Sequence, residues 1–168
     1  MAGLTQIEIT LAARGADIGA ILSRHVAGPL VFRRAAEGKP YLEGLPVHYS
    51  VSHSRELLAV AVAPCPVGVD IEFVRPRDFA GLARNRLAGA DLEAVLSAPA
   101  AAVADEFYRG WTRFEASVKL IGTGIFAPPT DPPEFADSRR IGGYWLSVAA
   151  GKPLGVIINM PDPSLCLE

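Results

Sequence analysis

Val67-Gly68-Val69-Asp70-Ile71-Glu72-Phe73 is the stretch from which the fold can be read. Its apolar residues Val67, Val69, Ile71 and Phe73 alternate with Gly68, Asp70 and Glu72, the period of two expected of a strand with one face in a core. Upstream, Ile7, Ile9 and Leu11 alternate with Glu8 and Thr10 as a second strand. Val47, Tyr49, Val51 and His53 share one face of a third, with Ser50, Ser52 and Ser54 on the other. Leu57 to Val62 is apolar throughout, as in a strand covered on both faces. Ile18, Ile21, Leu22, His25 and Val26 predict a helix closed by Gly28-Pro29, and Leu30-Val31-Phe32 a strand leading into a turn at Gly38-Lys39-Pro40. Downstream, Arg77 to Ser97 reads as short helical pieces broken at Gly89. Phe107, Trp111, Phe114, Val118 and Ile121 then form an apolar stripe on one long helix from about Ala101, ended by Gly122 and Gly124. Tyr144 to Ala149 and Leu154 to Met160 read as a hairpin around Ala150-Gly151-Lys152-Pro153. It echoes the segment from Tyr49 through Leu57-Leu58-Ala59-Val60, which suggests two related halves. Strands and helices without regular alternation predict an α+β fold.

A chain of 168 residues, half of it hydrophobic, is long enough for one domain with a sizeable core, and its composition excludes general disorder. Sixteen Lys and Arg against eighteen Asp and Glu give a net charge of −2, which argues against a nucleic-acid binder. The longest uncharged apolar stretch, Leu57 to Val69, is interrupted by Pro64 and Pro66 and falls short of the roughly 20 residues that span a bilayer. No basic segment followed by an apolar run opens the chain, and Cys65 and Cys166 have no metal-type spacing. Both features point to a reducing cytoplasm, with no membrane partner. Ala127-Pro128-Pro129-Thr130-Asp131-Pro132-Pro133 reads as a rigid surface loop.

Asp70 and Glu72 project from one strand face about 6.5–7 Å apart along it, a separation from which both carboxylates reach one hard cation such as Mg²⁺. A half-solvated strand with an acidic outer face is the alternative. Glu115 and Lys119 lie with Tyr108 and Thr112 along one edge of the helical stripe. Their i,i+4 order also suits a plain surface ion pair. Ser50-Val51-Ser52-His53-Ser54 offers hydroxyls and an imidazole to a phosphate, or serines to the free backbone groups of a turn. No nucleophile elbow surrounds any serine. Arg75, Arg77, Arg84 and Arg86 form either a solvated face or a surface for an anionic partner.

Order and spacing say more than any one of these signals. Gly38-Lys39-Pro40-Tyr41, Tyr49-Ser50-Val51-Ser52-His53-Ser54, Val67-Gly68-Val69-Asp70-Ile71-Glu72 and Trp111-Thr112-Arg113-Phe114-Glu115-Ala116-Ser117-Val118-Lys119-Leu120-Ile121-Gly122-Thr123-Gly124 follow one another. The set resembles the 4′-phosphopantetheinyl transferases, in their two-halved, surfactin-synthetase-activating branch. That resemblance implies two similar halves, each a small antiparallel sheet packed on a helix. Residues 1–66 would carry contacts to the nucleotide end of coenzyme A, and residues 67–168 the metal site and long helix, within one compact unit, monomeric or dimeric. It implies transfer of the phosphopantetheine arm of coenzyme A to a serine of an acyl or peptidyl carrier protein, releasing adenosine 3′,5′-bisphosphate. It makes Asp70, Glu72 and Glu115 the Mg²⁺ carboxylates, Glu115 or a metal-bound water the base, and Lys119 a contact to the coenzyme A phosphates. Lys39, Ser52, His53 and Arg75 join Lys119 as coenzyme A contacts, and Asp91 stands near an acidic position of the family.

Two departures accompany the resemblance. Phe114 stands where the family has a lysine before the glutamate, and adjacent Arg113 points elsewhere on the helix. Upstream of the first motif only Arg14 and Arg24 are available to meet the adenine end and its phosphate. They define the alternative function, a catalytically weak or inactive relative that binds coenzyme A or a carrier protein without transfer.

Overall fold

The computed structural model describes residues 5–122, 133–160, 162 and 164. The chain runs β1 (Ile7–Ala13), α1 (Ile18–Leu22), β2 (Phe32–Arg34), β3 (Pro40–Leu42), β4 (His48–Ser54), β5 (Leu57–Ala63) and β6 (Val67–Phe73). It continues α2 (Phe79–Arg86), α3 (Gly89–Ser97), α4 (Val103–Ile121), β7 (Phe135–Ile141), β8 (Tyr144–Ala150) and β9 (Val156–Asn159). The strands form two main sheets, β4-β5-β1-β9 and β6-β8-β7, with β2-β3 as a separate ribbon. The α+β fold is as the sequence indicates.

The sheets face each other across the main core. Ile7, Ile9 and Leu11 of β1 and Leu57, Ala59 and Ala61 of β5 meet Val67, Val69 and Ile71 of β6 and Leu146 and Val148 of β8. The apolar half of the β6 alternation is therefore the inward half. β5 is buried along its whole length because its other side also packs: Leu58, Val60 and Val62 lie under Ile21, Leu22, Leu42 and Tyr49. Beyond the second sheet lies α4, and beyond that α2 and α3. Gly68 sets the spacing between β6 and α4. A Cβ there would overlap the Ala116 carbonyl and the Leu120 amide and stand 2.9 Å from the Lys119 carbonyl carbon. Only glycine lets the strand and helix main chains come this close.

Several expectations need correction. Tyr144–Ala150 and Val156–Asn159 are not a hairpin: β8 is the central strand of its sheet, with both edges taken by β6 and β7. The reversal before β8 is made at Gly142-Gly143. β9 crosses to the other sheet and pairs parallel to β1. The echo of the β4–β5 hairpin thus ends at the sequence, and the first sheet is mixed rather than purely antiparallel. Two similar halves are realised only in part, since α4 covers the second sheet while a five-residue α1 and the β2-β3 ribbon cover the first. α1 stops at Leu22, short of His25, and the strand expected from Leu30 begins at Phe32. On α4, Ile121 is 49% exposed and leaves the stripe. Phe107, Tyr108, Trp111 and Phe114 pack in the cluster shared with α2 and α3, while Thr112 and Ala116 are buried toward the second sheet. The proline-rich loop up to Pro132, Thr123-Gly124 and Cys166 lie outside the described residues.

Candidate active site

The two sheets meet where β4 runs beside β6, and no backbone ladder joins these strands. Three side chains do so instead. Ser50, Ser52 and Ser54 accept the amides of Val69, Ile71 and Phe73 at 3.0, 3.3 and 3.0 Å. β6 is hydrogen-bonded to β8 on one edge, so these hydroxyls satisfy the donors of its other edge. The serines do meet free backbone groups, but those of a strand rather than a turn. Ser52 and Ser54 also donate, each at 2.8 Å, to Asp70 Oδ1 and Glu72 Oε2.

Asp70 is 4% exposed. Its Oδ1 also accepts from Lys119 Nζ at 2.7 Å, and Lys119 Nζ lies 2.9 Å from Ser52 Oγ. Its Oδ2 is buried without a hydrogen-bond partner. Burial pushes the Asp70 carboxyl up to about 6, opposed by the Lys119 ammonium and the Ser52 hydroxyl. Helix α4 brings Glu115 to the same place. Its carboxyl is also raised by burial, with Lys119 and Arg86 lowering it and Glu72 raising it. Asp70, Glu72, Glu115, Lys119, His53 and Trp111 line one cavity of about 450 Å³. The acidic half of the β6 alternation therefore faces a cleft under α4 rather than open solvent.

Within that cleft the ion pair of Lys119 is with Asp70 and not with Glu115, among the described residues. No three His, Cys, Asp or Glu side chains among the described residues are gathered as closely as the ligands of one metal ion. The donor set nevertheless suits a hard divalent cation. Its members are carboxylates, and one buried carboxylate oxygen is unsatisfied.

Lys39 lies apart from the acids. Its ammonium donates to the carbonyls of Val67, at 3.1 Å, and Leu120, which caps the C-terminal end of α4 against β6. Burial lowers it to about 8. Lys39 also lines a second cavity of about 260 Å³, whose wall shares Val51 and Lys119 with the first. Arg75 is exposed on the loop after β6 and lines neither cavity; its carbonyl accepts the Tyr108 hydroxyl at 3.2 Å. Asp91 is paired with Arg113 at 3.1 Å on the α3–α4 face, which accounts for both. Phe114 packs beside Trp111, with ring centroids 6.2 Å apart.

Sequence reasoning includes Ser54 in a hydroxyl cluster and Trp111 in the motif helix, but it misses the bond of Ser54 to Glu72 and the place of Trp111 in the cleft wall. The matching alternations Ser50/Ser52/Ser54 and Gly68/Asp70/Glu72 were the available signal for Ser54.

Residues 66–147 match the family described as the 4′-phosphopantetheinyl transferase superfamily. That span holds Asp70, Glu72, Glu115 and Lys119, while Lys39, Ser52 and His53 precede it. A 4′-phosphopantetheinyl transferase of Bacillus pumilus is 32% identical over 133 residues, covering 74% of this chain and 57% of the relative. One of Bacillus subtilis is 30% identical over 92 residues (54% and 41%), and one of Aneurinibacillus migulanus 29% over 99 residues (59% and 41%). The chain spans about half the length of the curated relatives it matches. The motif strand and the motif helix close on one polar cleft inside the matched span, and residues 66–147 belong to the 4′-phosphopantetheinyl transferase superfamily.

Proposed function

We propose that this protein is a Mg²⁺-dependent transferase that moves the 4′-phosphopantetheine arm of coenzyme A onto a serine of an acyl or peptidyl carrier protein. The observation that carries this reading is the shared cleft. Carboxylates from β6 and α4 line it beside a lysine and a histidine, with one buried carboxylate oxygen left unpaired. Asp70, Glu72 and Glu115 are the residues that would hold the ion, which when bound supplies positive charge to the pyrophosphate oxygens.

The chain's own groups do the rest. Glu115, made more basic by burial, takes the proton of the carrier serine. That serine's oxygen bonds to the phosphorus bearing the pantetheine. The bond from that phosphorus to the bridging oxygen breaks, and adenosine 3′,5′-bisphosphate leaves. Lys119 and His53 stabilise the charge on the phosphate oxygens, and the cleft walls keep the two oxygens in line. The nucleotide end runs toward the second cavity, past the shared wall of Val51 and Lys119 to Lys39. The expected setting is the cytoplasm.

A second reading, binding without transfer, is favoured by one contact: Lys119 and Ser52 already occupy Asp70 Oδ1. One assay separates the two. The protein is mixed with Mg²⁺, coenzyme A and an apo carrier protein, and the carrier's mass is measured. A phosphopantetheine adduct lost in Asp70→Ala and Glu115→Ala supports transfer. No adduct on any of several acyl and peptidyl carriers supports binding alone.

A further inference from the structure

The seam between β4 and β6 has two layers of pattern. Each serine of β4 accepts one β6 amide, and the side chain preceding that amide is Gly68 for Ser50, Asp70 for Ser52 and Glu72 for Ser54. A serine hydroxyl has one proton to donate and lone pairs to accept with. In Ser52 the lone pairs take the Ile71 amide and Lys119 Nζ, and the proton goes to Asp70 Oδ1. In Ser54 the lone pair takes the Phe73 amide and the proton goes to Glu72 Oε2 at 2.8 Å. Ser50 accepts in the same way, but opposite Gly68 there is no carboxylate to hold.

We propose that Ser54 is a positioning residue, tethered to the β6 backbone and fixing the Glu72 carboxylate toward the cleft, as Ser52 does for Asp70, whereas Ser50, which lines the second cavity, holds no carboxylate. The inference rests on the reading that the β6 carboxylates bind a divalent ion. A carboxylate held through one oxygen by a hydroxyl that is itself anchored has fewer rotamers to lose when an ion binds. The affinity therefore depends on the hydroxyl as well as on the acid.

Ser50 supplies a control within the same strand. Removing any of these hydroxyls leaves a β6 amide without its acceptor, so Ser50→Ala and Ser54→Ala share the structural loss. Only Ser54→Ala also frees a carboxylate. Mn²⁺ alone serves as the probe, added to the full chain and followed by the electron paramagnetic resonance of the free ion; the melting temperature of each variant is recorded in parallel. Ser54→Ala is expected to weaken Mn²⁺ binding roughly 10- to 100-fold, the range for losing a group that orients a ligand. Ser54→Thr, which keeps the hydroxyl, recovers most of it, and Ser50→Ala binds like the parent despite a similar fall in melting temperature. Mn²⁺ binding unchanged in Ser54→Ala overturns the inference while Asp70→Ala still abolishes binding. Equal weakening in Ser50→Ala and Ser54→Ala also overturns it, by reducing both to a seam defect. Binding that survives Asp70→Ala overturns the metal reading itself, and the inference with it.

Discussion

Gly68→Ala is the most direct test of how this site is built. The added methyl would stand 2.9 Å from the Lys119 carbonyl carbon and closer still to the Ala116 carbonyl oxygen and the Leu120 amide. Carbon atoms in ordinary contact sit about 3.5–4 Å apart, so α4 has to retreat by something on the order of 1 Å. Every opposing atom is main chain, and none can rotate away. The cost belongs near the top of the overpacking range, about 3 kcal/mol, less the ~0.4–1 kcal/mol gained by stiffening the unfolded chain. For a domain of this size a loss of that order lowers the melting temperature by about 5–10 °C. The retreat also carries Lys119 and Glu115 away from Asp70 and Glu72, and a misplacement of 1 Å costs ~100-fold in rate. Circular dichroism melts and the carrier mass assay measure the two effects. Gly151→Ala is the control, since a Cβ there meets nothing within 4 Å, and it should melt within about 2 °C of the parent. If Gly68→Ala melted like Gly151→Ala and modified carrier at the parent rate, the close approach of β6 and α4 would be irrelevant and this account of the site would fail.

The buried carboxyl of Asp70 carries a pH signature in metal-free buffer. Its folded value of about 6 lies above its unfolded value near 4, so the folded state binds the extra proton. The stability this confers is full below pH 4 and lost as pH rises through 6. Relative to Asp70→Asn, the parent's stability should decline by up to about 3 kcal/mol between pH 3.5 and 7, read from urea midpoints; a flat difference contradicts the burial argument. Lys39 has the opposite sense. Burial lowers it to about 8, so the unfolded chain binds more protons between pH 8 and 10.5, and parent stability relative to Lys39→Met should climb over that interval. A difference that shrinks with rising pH would refute it. Phe114→Lys removes an aromatic from the α2–α4 packing and should lower the melting temperature by about 3–8 °C, for a loss of ~1.5–2 kcal/mol; no change would place Phe114 outside that core.

What could be read from the residues is what repeats locally. The period of two in β6 and the stripe on α4 reported both elements and their buried faces, because burial is imposed on every second or every third to fourth side chain. Partners of strands are not encoded that way. β8 and β9 have the apolar content and the connecting turn of a hairpin, yet β8 is covered on both edges and β9 completes the other sheet. That choice is made by competition among distant strands, which no local window contains. The same holds for Lys119. Its spacing to Glu115 is favourable on an isolated helix, but in the folded cleft the ammonium pairs with the more deeply buried Asp70 across from it. Lys39, which its motif offers to a ligand and which lines the second cavity, also holds the last turn of α4 with its ammonium. Its partners lie 28 and 81 positions away in the chain.

The position of the cleft follows from the seam. Had β4 and β6 paired through their backbones, the strands would stand about 4.8 Å apart and the two sheets would be one. Serine side chains interposed between them hold the strands farther apart, and at this seam the chain leaves one sheet for the other by way of Pro64-Cys65-Pro66. The gap needs a lid, and α4 supplies it: its turn from Ala116 to Leu120 presses onto Gly68, and from the same turn Lys119, with Glu115 just before it, reaches the carboxylates. Short hydroxyl side chains on β4, a bare glycine on β6 and a lysine on α4 are thus one solution to joining two sheets under a helix. The acids line the space which that solution leaves open. On this view the Ser-x-Ser-x-Ser and Gly-x-Asp-x-Glu patterns are halves of a single motif.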